Sequence, residues 1–143
     1  METPKREITF GDCVKILEEI KAEDHILEYR QGMVMLFASL NPKEVEALKR
    51  SDIRMDGNRI VVESRTKNRL QPLYPLLKRI FADMFEEKEY EKQDKIFSIW
   101  NPEKWTMVLR PYEDFIPHSN MKPFVTPSTF YRVHRETMKE MQE

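Results

Sequence analysis

The stretch from Ser39 to Ile53, SLNPKEVEALKRSDI, followed at once by RMDGNRIVVESRTKNRLQPL, constrains the fold more than any other part of the chain. It passes from a capped helix to strands within a few residues. The Asn41 side chain can accept hydrogen bonds from the free N–H groups of a starting helix. Pro42 suits the first helical position, and Glu44 stands three residues after the cap, as in a capping box. Val45 and Leu48 then share a face while Lys43, Glu46, Lys49 and Arg50 can face water, which predicts a short helix from about Pro42 to Arg50. Asp56-Gly57 is a turn signal because glycine accepts positive φ, and NRIVVES is rich in β-branched residues. A second strand is expected over Arg69 to Leu73 after the polar turn Ser64 to Asn68, with Pro72 limiting it to an edge or a strand end.

Helical periodicity dominates elsewhere. Thr9 can cap a helix over about Phe10–Ala22 whose stripe is Cys13, Ile16, Leu17 and Ile20. A second helix is expected from Asp24 to Leu40; its half MVMLFASL is apolar all round and should run through the middle of the domain. Pro75 opens a long helix reaching Tyr90, with Leu76, Leu77, Ile80, Phe81, Met84 and Phe85 inward. Asn101-Pro102 starts another, with Trp105, Val108, Leu109 and Tyr112 on one face. Thr126-Pro127 starts the last, with Phe130, Val133, Thr137 and Met141 aligned. The expected class is mainly α with a small antiparallel sheet, an α+β single domain over residues 1–143.

Composition narrows the function classes. No apolar run approaches the roughly 20 residues that cross a bilayer, so no membrane partner is expected. METPKREITF lacks the apolar core of a secretory signal, which predicts an intracellular, cytoplasmic protein. Cys13 is the sole cysteine, which removes internal disulfides and cysteine-based zinc sites. His25, His118 and His134 have no metal-ligand spacing, and three glycines in all cannot form a phosphate-cradling loop, so no cofactor is expected. Trp100 and Trp105 are read as core. The net charge of −1 hides a basic island: between Lys49 and Phe81 nine basic residues face three acids, whereas acids predominate from Ala82 to Phe97. Such an island can hold phosphates or simply be solvated.

The order of elements in LFASLNPKEVEALKRSDIRMDGNRIVVESRTKNRLQPLYPLLKRIF resembles the catalytic domain of tyrosine recombinases, the phage-integrase family. There a buried helix ends in a Gly-Leu-Arg turn, and a short helix with a Glu, an L-x-x-x-D-I segment, a lysine-bearing hairpin and a Pro-Leu lead into the next helix follow. Leu40, Glu44, Val45, Leu48, Asp52 and Ile53 match, Lys67 lies in the hairpin turn, and Pro72-Leu73 match the lead. IFSIWNPEKWTMVL is similar to the family's strand end and next helix, and VTPSTFYRVHRETM to its T-P-H-x-L-R-H helix start.

The resemblance implies two phosphate-holding arginines, a lysine and one or two histidines moving protons, and an attacking tyrosine. This chain departs from nearly all of it. Asn41 occupies the first arginine's position, Ser128 or Thr129 the histidine's, and Tyr131 or Arg132 the second arginine's; the family's nucleophile lies some tens of residues beyond this box. No intact catalytic set is expected. Lys67 is either a retained phosphate contact or an exposed turn residue. The expected partner is double-stranded DNA through Arg65, Lys67, Arg69, Arg132 and Arg135, or a recombinase or second copy, without strand cleavage. Two alternatives stand beside it: a recombinase whose nucleophile a partner supplies, and a helix-turn-helix regulator reading DNA with TPSTFYRVHRETMKEM.

Overall fold

A computed structural model describes residues 6–62, 68–112, 115–116 and 125–142. The elements run β1 (Arg6–Glu7), α1 (Phe10–Ala22), α2 (Ile26–Ala38), α3 (Pro42–Ala47), a 3-10 turn (Arg50–Asp52), β2 (Ile53–Arg54), β3 (Arg59–Val62), β4 (Arg69–Pro72), α4 (Pro75–Glu87), α5 (Pro102–Leu109), a 3-10 turn (Arg110–Tyr112), β5 (Phe115–Ile116) and α6 (Pro127–Gln142). The mainly helical α+β class expected from the sequence is the one observed.

α2 is the axis of the bundle, packed by α1, α3, α4 and α6. Its residues from Gly32 to Leu36 are all buried, which is why its sequence shows no polar face. Gly32 is the close-approach point: a Cβ there would lie 2.3 Å from a Leu17 methyl of α1. α1 starts on the expected cap, a reciprocal box in which the Thr9 hydroxyl accepts from the Asp12 N–H and the Asp12 carboxylate accepts from the Thr9 N–H.

α2 begins two residues later than expected. Asp24 adopts φ 67°, with Asp24 N–H bonded to the Lys21 carbonyl and His25 N–H to that of Ile20. This left-handed stop satisfies the last carbonyls of α1, so Asp24 ends one helix instead of opening the next. α3 is also shorter than expected, because Leu48 is extended and the chain passes into the 3-10 turn. α4 stops at Glu87, where Lys88 becomes extended, and Leu76 points outward with 38% exposure.

The three-stranded antiparallel sheet has the order β2-β3-β4, so Pro72 sits on an edge strand opposite Arg59. Ile53, Ile60 and Val62 bury the inner face. The β2–β3 loop differs from the Asp-Gly expectation. It spans residues 55–58, and the positive φ (52°) falls on Asn58, with no described glycine at positive φ. A four-residue loop needs its left-handed residue at the end, and asparagine tolerates that region. The parallel pairing of β1 with β5 was not legible, since two-residue strands carry no pattern.

The acidic segment after α4 folds back along the α3–β2 connection. Arg50 N–H bonds the Asp94 carbonyl at 2.8 Å, Ser51 N–H that of Lys92 at 3.0 Å, and Ile96 N–H that of Leu48 at 2.8 Å. Ile96 and Phe97 close the core there. The Arg30 guanidinium adds a forked pair to Glu87 at 2.9 and 2.7 Å.

Candidate functional site

Three chain segments meet where α2 ends: the α2–α3 turn, the start of β4 and the first turns of α6. Ser39 closes α2 in the left-handed region (φ 59°, ψ 49°), and Leu40 is fully buried. This reversal aims Asn41 at the α3 N-terminus. The Asn41 Oδ1 accepts the Glu44 N–H at 2.9 Å and the Glu44 carboxylate accepts the Asn41 N–H at 2.9 Å, the capping box expected from the sequence.

Glu44 has a second partner 25 residues away in sequence. Arg69 of β4 grips both carboxylate oxygens, Nη2 donating to Oε1 at 2.9 Å and Nη1 to Oε2. Nη2 also donates to the Ser39 carbonyl at 2.9 Å, tying the sheet to the left-handed turn. Burial pushes the Glu44 carboxyl up, but the Arg69 hydrogen bonds and the Asn41 N–H outweigh it, and its pKa lies below the usual carboxylate value. The same hydrogen bonds raise Arg69. Arg69 therefore ties β4 to the α2–α3 turn through its ion pair with Glu44.

α6 begins with hydroxyl chemistry. The Thr129 Oγ1 accepts the Thr126 N–H at 2.9 Å and is buried, while the Ser128 and Thr126 hydroxyls share a hydrogen bond of 3.0 Å. Thr129 is thus a helix-start group and Ser128 remains half-buried. Phe130 and Val133 pack into the core. Tyr131 is half-buried and acts electrostatically on Arg69; the Arg135 guanidinium lies 5.7 Å from its ring. Arg132 is half-buried and Arg135 exposed, so α6 carries two cations in its first turns. Arg65, Lys67 and His118 lie outside the described residues.

The other residues singled out by sequence have structural roles. His134 Nδ1–H donates to the Leu36 carbonyl at 2.6 Å, pinning α6 to α2. Trp105 is fully buried and its Nε1–H donates to Gln31 Oε1 at 3.1 Å, while Gln31 Nε2 donates to the Ile99 carbonyl at 2.8 Å. Trp100 packs against Trp105 with ring centres 5.8 Å apart. Burial, helped by Asp12, pushes the Cys13 thiol up to about 12, which makes it an inert core group. Among the described residues no group of three or more His, Cys, Asp or Glu side chains could hold a metal, and no helix is long and apolar enough to cross a membrane.

No family model matches the chain, and no curated protein does. Solved structures match over its whole length. XerA recombinase superposes with a TM-score of 0.70 at 12% identity, covering 100% of this chain and 52% of its own. The fold is tyrosine-recombinase catalytic-domain-like. Tn1549 transposon integrase in complex with circular intermediate DNA gives a TM-score of 0.72 at 14% identity, over 98% of this chain and 54% of that one. The same integrase with transposon right end DNA gives 0.73 at 14% identity, over 99% and 56%. The chain spans about half the length of these recombinases. At such identities the likeness carries the recombinase fold and leaves the chemistry to the residues present.

Proposed function

We propose that the chain is a degenerate recombinase-like domain that binds double-stranded DNA, alone or as part of a recombinase–DNA complex, and does not cut it. One observation carries this reading. The turn at the end of α2 keeps its left-handed residue and its buried leucine, yet its next position is Asn41, a helix cap with no positive charge. The cation that reaches that turn, Arg69, is neutralised by Glu44. A phosphate there meets a hydrogen-bonded ion pair in place of a free guanidinium, and electrostatic stabilisation of developing charge is the largest part of such catalysis. Ser128 is the accessible hydroxyl of the two at the histidine position. Phe130, fully buried two positions after Ser128, favours the register that puts Tyr131 at the second arginine's position. These substitutions favour a scaffold kept for folding and binding.

DNA affinity on this reading comes from Arg132 and Arg135 on α6 and from Arg65 and Lys67. The test is a gel-shift titration of duplex DNA in increasing salt, since removing one phosphate-binding cation reduces the salt slope by about one. Binding should fall in Arg132→Glu/Arg135→Glu and in Arg65→Glu/Lys67→Glu, with the folded spectrum unchanged. Unaltered binding and slope in both would overturn the assigned interface; no binding by the wild-type chain at low salt would overturn the function. Arg69 is left out of the charge reversals because its removal also breaks the ion pair with Glu44.

A further inference from the structure

The basic island divides in the structure. Arg69 is held by Glu44, and Arg50 lies over the Phe85 ring at 3.8 Å. Arg59 and Lys78 instead converge on one neutral residue at the end of the sheet away from the Val62–Arg69 pair. Lys78 Nζ donates to Asn58 Oδ1 at 2.9 Å, and Arg59 Nη1 donates to the Asn58 carbonyl at 3.1 Å. That carbonyl also accepts the Leu73 N–H at 2.9 Å, so the left-handed Asn58 is fixed from three sides.

With Pro72, Tyr74 and Pro75 these residues line an open depression of about 460 Å3, which falls among ordinary ligand pockets of about 300–1,000 Å3. Among the described residues no acid lines it, and Asp56 in the adjoining loop is exposed and forms no ion pair with either cation. Arg54 stands directly opposite Arg59 in the β2–β3 register, so a third positive charge shares that face. Like charges facing across strands are destabilising, and no described acid offsets them here. Lys78 uses one of three donors and Arg59 one of five in these bonds, which leaves several for an anion. The opposite wall is different in kind: Pro72 and Pro75 are exposed and Tyr74 presents 42% of its surface.

We propose that this depression binds a nucleotide unit, with its phosphate on Arg59 and Lys78 and its sugar or base against Tyr74 and the prolines. The cationic lobe selects the anion and the apolar wall selects what is attached to it. The unit can come from a DNA strand or from a free mononucleotide. The site is separate from the α6 interface proposed above and stands or falls independently.

The test is an amide NMR titration of the full chain with thymidine 5′-monophosphate, thymidine, inorganic phosphate and a ten-residue thymidine oligonucleotide. The monophosphate should shift the Asn58, Arg59 and Tyr74 amides, with thymidine silent and inorganic phosphate weaker. Arg59→Gln and Lys78→Gln should each weaken binding about tenfold, the worth of one charge-assisted hydrogen bond. Tyr74→Ala should weaken the monophosphate but not inorganic phosphate. An oligonucleotide that binds more tightly than the monophosphate and fails in the same variants identifies a strand as the source; equal binding identifies the mononucleotide. Inorganic phosphate matching the monophosphate would overturn the nucleotide assignment. No shift at these amides with any probe, or shifts unchanged in Arg59→Gln, would overturn the pocket. Oligonucleotide shifts confined to α6 would overturn the pocket and leave the proposed function standing; pocket shifts without duplex binding would do the reverse.

Discussion

The chain starts a helix with Asn-Pro twice, at Asn41-Pro42 and Asn101-Pro102, and the two starts have different duties. Both asparagines accept an N–H three residues on, from Glu44 at 2.9 Å and from Lys104 at 3.0 Å. At α5 the matter ends there, because a lysine side chain has no acceptor to return to the cap. At α3 the third residue is a glutamate, which returns to the Asn41 N–H and also receives the Arg69 fork. The same local motif is thus an isolated cap in one place and the meeting point of α2, α3 and β4 in the other. A cap fixes where a helix begins; only the identity of its third residue decided which start became a hub.

Removing the two third residues should separate these roles most strongly. Glu44→Ala deletes half a capping box and strands a partly buried guanidinium, with an expected loss of about 2 kcal/mol in urea unfolding. That is below the 3–5 kcal/mol, roughly, of a fully buried pair, because Arg69 remains open to water on one side. Lys104→Ala should change stability by less than about 0.5 kcal/mol. Equal losses would mean that the Arg69 fork contributes nothing.

The caps come next. Asn41→Ala and Asn101→Ala should each cost about 0.5–2 kcal/mol, with Asn41 the larger because its loss also frees Glu44. The pH dependence sharpens the contrast. Glu44 has a folded pKa below its unfolded value of 4.5, so its contribution is present above that pH and is lost as pH falls through the folded value. Acid unfolding followed by circular dichroism should lose part of that slope in Glu44→Gln. An effect of the opposite sign is expected at Ser39→Gly. Relieving a left-handed serine should raise stability by roughly 1 kcal/mol, read as a higher urea midpoint with the slope unchanged. A lower midpoint would show that the serine side chain supports the turn.

These contrasts also explain what could be read in the sequence. Helix starts at Thr9, Asn41 and Asn101 were legible because each cap acts within three residues. The buried face of α2 was legible because its second half has no polar side. Stops were harder: Asp24 reads as a helix-starting acid, and its left-handed conformation depends on carbonyls of the preceding helix. Within the site, the helix-start role of Asn41 was legible. The Arg69–Glu44 pair was not, since nothing local joins a strand residue to a carboxylate 25 positions earlier. Counting Arg69 with the basic island therefore missed its pairing with Glu44. Arg59 and Lys78, ordinary in the sequence, gain their meaning only because Asn58 gathers them.

The central claim, a recombinase scaffold without strand cleavage, is tested most directly by incubating labelled suicide-substrate DNA with the chain and resolving it on a denaturing gel. The account predicts no covalent protein–DNA band for the wild type, and none for Asn41→Arg, because restoring one cation beside a neutralised Arg69 supplies neither a proton carrier at Ser128 nor a placed nucleophile. A slow, protease-sensitive band that disappears in Tyr131→Phe would contradict it and make the α6 tyrosine the attacking group of a rearranged active site.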